Sequence, residues 1–400
     1  MRKIWKKWTG WSLVVRILCG MALGLLLGLL LPSWRWIGIF GSVFVGALKA
    51  AAPVLVALLV CASVAKAGKG QGPRFRLVIL LYLMSSFFAA LIAVSGSFLF
   101  PVTLQLQDAA AETAPGSLHD VFYTLITNVV MNPVRALAEA NYVGILFWSI
   151  VIGLALKAAA AEKTIRVVGD FADAVSKLVG WIIQFAPFGI MGLVYAAVQV
   201  SGLAVFTTYG RLLLLLVGCM LTTALIINPL IHFVLLRKNP YPLLWICLRE
   251  SGVNAFFTRS SAANIPINMD LCKRLGLDPE FYSVSIPLGA TVNMSGAAVT
   301  ITVLALAVAH TVGVPVTFAS ALVLAVVSTL GACGASGVAG GSLLLVPMAC
   351  SFFGISQDVA MQAVAVGFII GVIQDSVETA LNSSADVFFT ATAEWRGRGR

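Results

Sequence analysis

The sequence predicts an all-α polytopic membrane protein with eight transmembrane helices and two re-entrant helical hairpins of opposite orientation. Composition points there first. Of 400 residues, 60% are hydrophobic and 10% charged, whereas a soluble domain carries roughly 25% charged residues. So few charges cannot build a water-facing surface, which excludes a soluble enzyme. The second observation is the length of the apolar runs. Crossing a bilayer takes about 20 apolar residues. Runs of that size recur along the chain, in place of the short polar–apolar alternation of a membrane barrel. Third, the basic residues behind a net charge of +10 cluster at every second connection. That is the pattern of cytoplasmic loops, not of a groove for nucleic acid.

The first run, 11–31, follows Arg2, Lys3, Lys6 and Lys7 and ends at Pro32, Ser33 and Trp34. It is longer than the 7–15-residue core of a cleaved signal, and its terminal aromatic suits a membrane interface. It reads as the first span. Further spans are expected at 37–65, 75–100, 119–156, 165–200, 204–236, 280–311 and 357–391. Basic clusters lie at Lys66/Lys69/Arg74/Arg76, Lys157/Lys163/Arg166, Arg237/Lys238, Lys273/Arg274 and Arg396/Arg398/Arg400, while the segment after Pro101 carries Asp108, Glu112 and Asp120. Both termini are therefore expected in the cytoplasm. The seven cysteines are scattered without metal-site spacing, and read as small apolar residues.

Two stretches break the pattern. Arg237/Lys238 and Lys273/Arg274 both look cytoplasmic, so the chain between them must enter and return on one side. Its middle is polar: Arg249, Glu250, Ser251, Asn254, Thr258, Arg259, Ser260, Ser261 and Asn264. Polar irregular backbone at membrane depth is tolerated only inside protein or along a cavity. A hairpin over about 240–275, with its tip near Arg259–Ala263, satisfies both conditions. The second stretch, about 317–353, is apolar but interrupted by Gly331, Gly334, Gly337, Gly340 and Gly341. Each glycine costs a helix about 1 kcal/mol relative to alanine. Parity makes this a hairpin entering from the opposite side. Two interrupted segments, inverted between halves, point to a secondary transporter with a site at the bilayer midplane.

The last span carries the chemistry. Asp375, Glu378, Thr379, Asn382 and Asp386 are spaced by three or four residues where they follow one another along a face, so they share one side of the helix. Intramembrane carboxylates are costly and mark ligand or ion sites by default. A structural pair with Arg259 is the alternative, but one arginine cannot offset three carboxylates. In the preceding span, Asn293 lies in Gly289-Ala290-Thr291-Val292-Asn293-Met294-Ser295-Gly296. Unwinding there would give carbonyls that, with an amide and a carboxylate, suit a hard monovalent cation. A hydrogen bond to a neighbouring helix would also explain the asparagine.

Together these pieces carry a resemblance. Thr258-Arg259-Ser260-Ser261, Asn293-Met294-Ser295-Gly296, the glycine run, Asp375…Asn382…Asp386, and Lys49 and Pro53 resemble the dicarboxylate/amino acid:cation symporter family. That family includes glutamate, aspartate and neutral amino acid transporters. The likeness covers almost the whole chain. It implies a homotrimer in the lipid of a bacterial inner membrane, working by an elevator motion. Residues 1–73 and 102–203 would form the scaffold; 74–101 and 204–391 would form the transport domain, with 392–400 as a cytoplasmic tail.

The resemblance also implies site roles. Asp375 would hold a substrate amino group. Asn382 and backbone N–H groups near Ser261 would hold the α-carboxylate, with backbone at Arg259, Ser260 and Val338 lining the pocket beside Glu378 and Thr379. One sodium site would comprise Asn293, Asn382, Asp386 and the Gly289 carbonyl. A second would comprise Thr291, Met294 and the carbonyls of Ala332, Cys333 and Ala335. A third would involve Tyr82, Ser85, Ser86 and Ser295. Three departures bear on substrate. Glu378 stands where acidic-substrate members have arginine, Ser295 where aspartate is common, and Ala297 where a pocket threonine is frequent. An anion at Glu378 repels a substrate carboxylate. The implied activity is therefore sodium symport of small hydroxyl amino acids, serine and threonine; alanine, or aspartate and glutamate, are the alternatives. No enzyme is indicated, since Ser260 and Ser261 lack a nucleophile elbow and His119, His232 and His310 lack a partner pattern. No repeated filter sequence suggests a channel.

Overall fold

The computed structural model describes residues 11–66, 72–106, 129–335 and 340–398, and among these it is helical with no strand. The first helices are α1 (Leu13–Leu30), α2 (Gly38–Lys66) and α3 (Pro73–Leu99). They are followed by the short α4 (Pro133–Ala138), α5 (Tyr142–Ala159), α6 (Glu162–Gln184) and α7 (Ala186–Ser201). Then come α8 (Ala204–Thr222) and α9 (Asn228–Leu236), joined through one π turn at Thr223–Ile227. Seven described helices are long and apolar enough to cross a membrane, or eight if the bent pair α6–α7 is one span.

Two expected spans are corrected. The fourth, expected over 119–156, lies outside the described residues as far as 128; within them it is interrupted before Tyr142, where α5 starts, capped by the Asn141 side chain. Asn132 caps α4 ahead of it and Ala140 takes a positive φ of 51° between the two helices. The fifth is broken by 56° between Gln184 and Ala186. Pro187 enters there in the first turn of α7, where its missing N–H and fixed φ favour a helix start over a continuous helix.

Hairpin 1 is α10 (Tyr241–Cys247), a π turn and α11 (Val253–Thr258), returning as α12 (Ser261–Arg274). The reversal uses Arg259 in the left-handed region at φ 52°, and Ser260 caps α12 by accepting from the Ala263 N–H. Then α13 (Pro279–Val292) and α14 (Ser295–Thr311) are separated by non-helical Asn293 and Met294. The expected unwinding is there. Hairpin 2 descends as α15 (Phe318–Ala332), opened by a Thr317/Ser320 capping box. It returns through a 3-10 turn at Ser342–Leu345 and α16 (Val346–Ser351).

The last helix, α17, runs from Gln357 to Gly397. The expected tail at 392–400 is therefore helical as far as Gly397. Glu394 explains why: its carboxylate is buried, accepts the Asp278 N–H at 2.9 and 3.0 Å, and pairs with Arg398.

Packing gathers α1, α2 and α5–α7 on one side. Glycines make the contact between α1 and α7: a Cβ on Gly24 would lie 2.4 Å from the Met191 carbonyl oxygen. Small residues let membrane helices approach this closely. The other elements, α3, α8–α9, both hairpins, α13 and α14, surround α17. Helix α14 is buried from Ser295 to Ala309, and the polar face of α17 is enclosed with it.

Candidate functional site

Along α17 the polar residues form three levels. At the first, Asp375 bridges the two hairpins. Its Oδ2 accepts from Arg259 Nε at 2.7 Å, and its Oδ1 accepts from the Gly340 N–H at 3.2 Å. Both charged side chains are buried, Arg259 at 8% and Asp375 at 3% exposure. The left-handed turn at Arg259 aims its side chain, not only its backbone, into the site. Thr379 donates its hydroxyl to the Asp375 carbonyl at 2.7 Å, so its proton is engaged on its own helix.

Glu378 occupies the second level. Its Oε2 accepts from Thr300 Oγ1 at 2.6 Å, Ser342 Oγ at 2.9 Å and Gln374 Nε2 at 2.6 Å. Gln374 Nε2 also donates to Thr300 Oγ1 at 2.7 Å. This links α17 to α14 and to the returning arm of hairpin 2. A Cβ on Gly296 would lie 3.0 Å from Glu378 Cα, so that glycine permits the helix contact.

Asn382 and Asp386 make the third level with the unwound segment. Asn382 Oδ1 accepts from the Gly296 N–H at 2.7 Å and its Nδ2 donates to Met294 Sδ at 3.4 Å. Both ends of the amide expected to hold a carboxylate are thus on the α13–α14 junction. Asn293 Nδ2 donates to Asp386 Oδ1 at 2.9 Å and to the Asn382 carbonyl at 3.1 Å. Two buried acceptors are left over: Asn293 Oδ1 and Asp386 Oδ2 have no hydrogen-bond partner. Leaving buried polar atoms unpaired is costly. Two orphaned oxygens, one of them on a carboxylate, fit a small hard cation. Gly289 leaves room for it, since a Cβ there would lie 2.6 Å from Asp386 Oδ1 and 2.9 Å from the Tyr82 hydroxyl.

The remaining candidates divide. Tyr82 hydroxyl contacts the Ser285 carbonyl at 3.2 Å, the Asp386 carbonyl at 3.3 Å and Thr390 Oγ1 at 3.0 Å. Ser85 donates to Asn228 Oδ1 at 2.8 Å, while the hydroxyls of Ser86 and Ser295 are buried without a partner. Cys333 Sγ reaches the Val292 carbonyl at 3.6 Å, which brings hairpin 2 to the end of α13. The carbonyl of Ala332 already accepts the Ala335 N–H at 2.8 Å. Thr291 is exposed and donates to the Leu288 carbonyl at 2.9 Å. Ser261 is buried in the first turn of α12. Val338 lies outside the described residues.

Sequence reasoning missed Gln374, Thr300, Ser342 and Asn228, and it missed the clamp that seats hairpin 1. Asn264 Nδ2 donates to Ser383 Oγ at 2.8 Å, and Asn268 Nδ2 donates to the Ser383 carbonyl at 3.1 Å. The available signal was spacing: Gln374 lies four residues before Glu378, and Asn268 four after Asn264, which places each pair on one face.

Comparison with known proteins bears on the whole chain. The model of the sodium:dicarboxylate symporter family matches residues 13–394. The serine/threonine transporter SstT of Bifidobacterium adolescentis is 57% identical over 397 residues, covering 98% of this chain and 92% of that protein. The proteins of the same name from Streptococcus thermophilus and Streptococcus agalactiae are 54% and 53% identical over 396 residues, covering 98% of both chains in each case.

Proposed function

We propose that this chain, which belongs to the sodium:dicarboxylate symporter family, carries serine and threonine across the membrane together with sodium. It is a transporter and not an enzyme, as its relatives are. The observation that carries the reading is the pair of orphaned buried oxygens, Asn293 Oδ1 and Asp386 Oδ2. Asp386 lies on the α17 face that also presents Asp375 between the two hairpins, and Asn293 meets it from the α13–α14 junction.

In this reading Asp386, Asn293 and the Asn382 carbonyl hold one sodium ion, and Met294 with the carbonyls near Cys333 helps hold another. Asp375 takes the substrate ammonium in a charge-assisted bond. The α-carboxylate is held by N–H groups of the first turn of α12, whose N-terminal dipole favours an anion. Glu378 excludes a second carboxylate on the substrate. It is a carboxyl group whose Oε2 already takes three donors, so it offers a second carboxylate no cation to pair with.

The two packed groups of helices support a scaffold of residues 1–73 and 102–203 and a moving body of 74–101 and 204–391. The Lys49–Asp358 ion pair joins α2 to α17 across them. We place both termini in the cytoplasm, on the distribution of basic residues, and the protein as a homotrimer in a bacterial inner membrane.

Radiolabelled serine uptake into proteoliposomes, competed by a panel of amino acids, tests the substrate. Threonine should compete as a substrate and aspartate should not. Equal competition by aspartate would remove the role given to Glu378.

A further inference from the structure

The seam between the two helical bodies is loosely packed, with two cavities along it. One, of about 360 Å³, has Lys49 and Leu193 on the α2–α7 side and Tyr209 and Asp358 on the other. The second, of about 220 Å³, has Val60 and Ile150 facing Leu288 and Cys333. Surfaces that do not touch forfeit dispersion energy, so polar contacts weigh more in holding the bodies in one alignment. Lys49 of α2 pairs with Asp358 in the first turn of α17. Beside it, Gln357 Nε2 donates to the Tyr142 hydroxyl at 3.4 Å, at the start of α5. Before Lys66, Lys49 is the one charged residue of α2, and charge within a membrane helix calls for a partner.

The alignment is a low one. By the distribution of basic residues, α2 runs from the outside at Gly38 to the cytoplasm at Lys66. Val60 stands six residues before that end, about 9 Å at the helical rise. Gly334, at the inner end of the descending arm of hairpin 2, meets it there: a Cβ on Gly334 would lie 3.7 Å from Val60 Cβ. Hairpin 2 enters from the outside, yet it has passed about 33 Å of α2, beyond the midplane where such segments end. The outer end of α17 likewise stands opposite Lys49, about 16 Å down α2. The body that carries the site therefore sits toward the cytoplasm. Raising it would take Asp358 along α2 toward Gly38, past residues without charge, and the pair must break.

We propose that the Lys49–Asp358 pair is a latch of the cytoplasm-facing state: it closes when the moving body is down and opens when the body rises. The proposal rests on the reading of this chain as a carrier with a scaffold and a moving body. Both partners are partly exposed, and a pair of that kind changes an equilibrium by up to about fivefold. That is little for a fold. It is enough for a carrier, which has to populate both states in every cycle.

The test reads the position of the moving body from the rate of disulfide formation between Val60→Cys and Gly334→Cys, in proteoliposomes and without the native cysteines. Added to that protein, Lys49→Gln and Asp358→Asn should each lower the initial rate about three- to fivefold. The two together should lower it no further, because both remove one interaction, and Lys49→Arg should keep the original rate. Gly38→Cys with Ala196→Cys lies within the scaffold, where a Cβ on Gly38 would stand 4.0 Å from the Ala196 Cβ, and should cross-link at one rate throughout. Unchanged seam rates in the single variants, additive losses in the double one, or a parallel fall in the scaffold pair would each overturn the proposal. If the protein with Lys49 and Asp358 intact still carries serine once Val60→Cys and Gly334→Cys are joined, the reading of a moving body fails instead, whatever the latch variants do.

Discussion

Asp375 and Asp386 sit on one face of α17, yet their surroundings give them different tasks. Asp375 meets a cation and a backbone N–H, whereas Asp386 meets one amide and keeps a buried oxygen free. Asp386→Asn should therefore weaken sodium, not the amino acid directly. Removing a charged hydrogen-bonding group costs about 1.5–3 kcal/mol, about tenfold or more in affinity. Serine binding measured against sodium concentration should shift by that factor and recover at saturating sodium; loss at all sodium concentrations would count against the assignment. Glu378 leads to a stability prediction. Glu378→Ala leaves the donors of Thr300, Ser342 and Gln374 without their acceptor, which should destabilise the protein by about 2 kcal/mol or more. Glu378→Gln keeps an acceptor and should lose less. Thermal unfolding in detergent compares the two, and equal midpoints would dismiss the network. The carboxylates are legible in the sequence because charge inside an apolar run is rare and their spacing marks a face. Thr300, Ser342 and Gln374 are not, since a lone neutral polar residue in a membrane helix reads equally well as contact with a neighbour.

Hairpin 1 is legible in the sequence because two basic clusters bound a stretch of fixed length with a polar middle, so parity leaves few choices. The break between α6 and α7 is not. Pro187 lies inside an apolar run, and a proline there can kink a helix or start a new one; packing against α1 and α2 decides. The end of α17 is hidden for a similar reason. Glu394 reads as a solvated terminal charge until Asp278 and Arg398 are brought to it. At this scale the glycines of α1 are open to test. Gly24→Leu would drive a side chain into the Met191 backbone, whereas Gly46 has nothing within 4 Å of its would-be Cβ. The yield of monodisperse protein should collapse for Gly24→Leu and stay near wild type for Gly46→Ala. Similar yields would mean that the α1–α7 contact is looser than described.

In the whole molecule, two helical bodies meet through α2. Lys49 pairs with Asp358 of α17, and a Cβ built on Gly334 of hairpin 2 would stand 3.7 Å from the Val60 Cβ. Disulfides span Cβ separations of about 3.5–4.5 Å. In a background without the native cysteines, Val60→Cys with Gly334→Cys should cross-link on oxidation, stop uptake, and regain it on reduction. Transport at the wild-type rate by the cross-linked protein would show that the two bodies need not move past each other. The central claim, that sodium drives the amino acid, is tested most directly by serine accumulation in proteoliposomes where an inward sodium gradient is the only gradient imposed. Serine should rise above its external concentration and fall back when the gradient is collapsed, and potassium in place of sodium should give no accumulation. Serine that merely equilibrates, at the same rate in sodium and in potassium, would contradict the account.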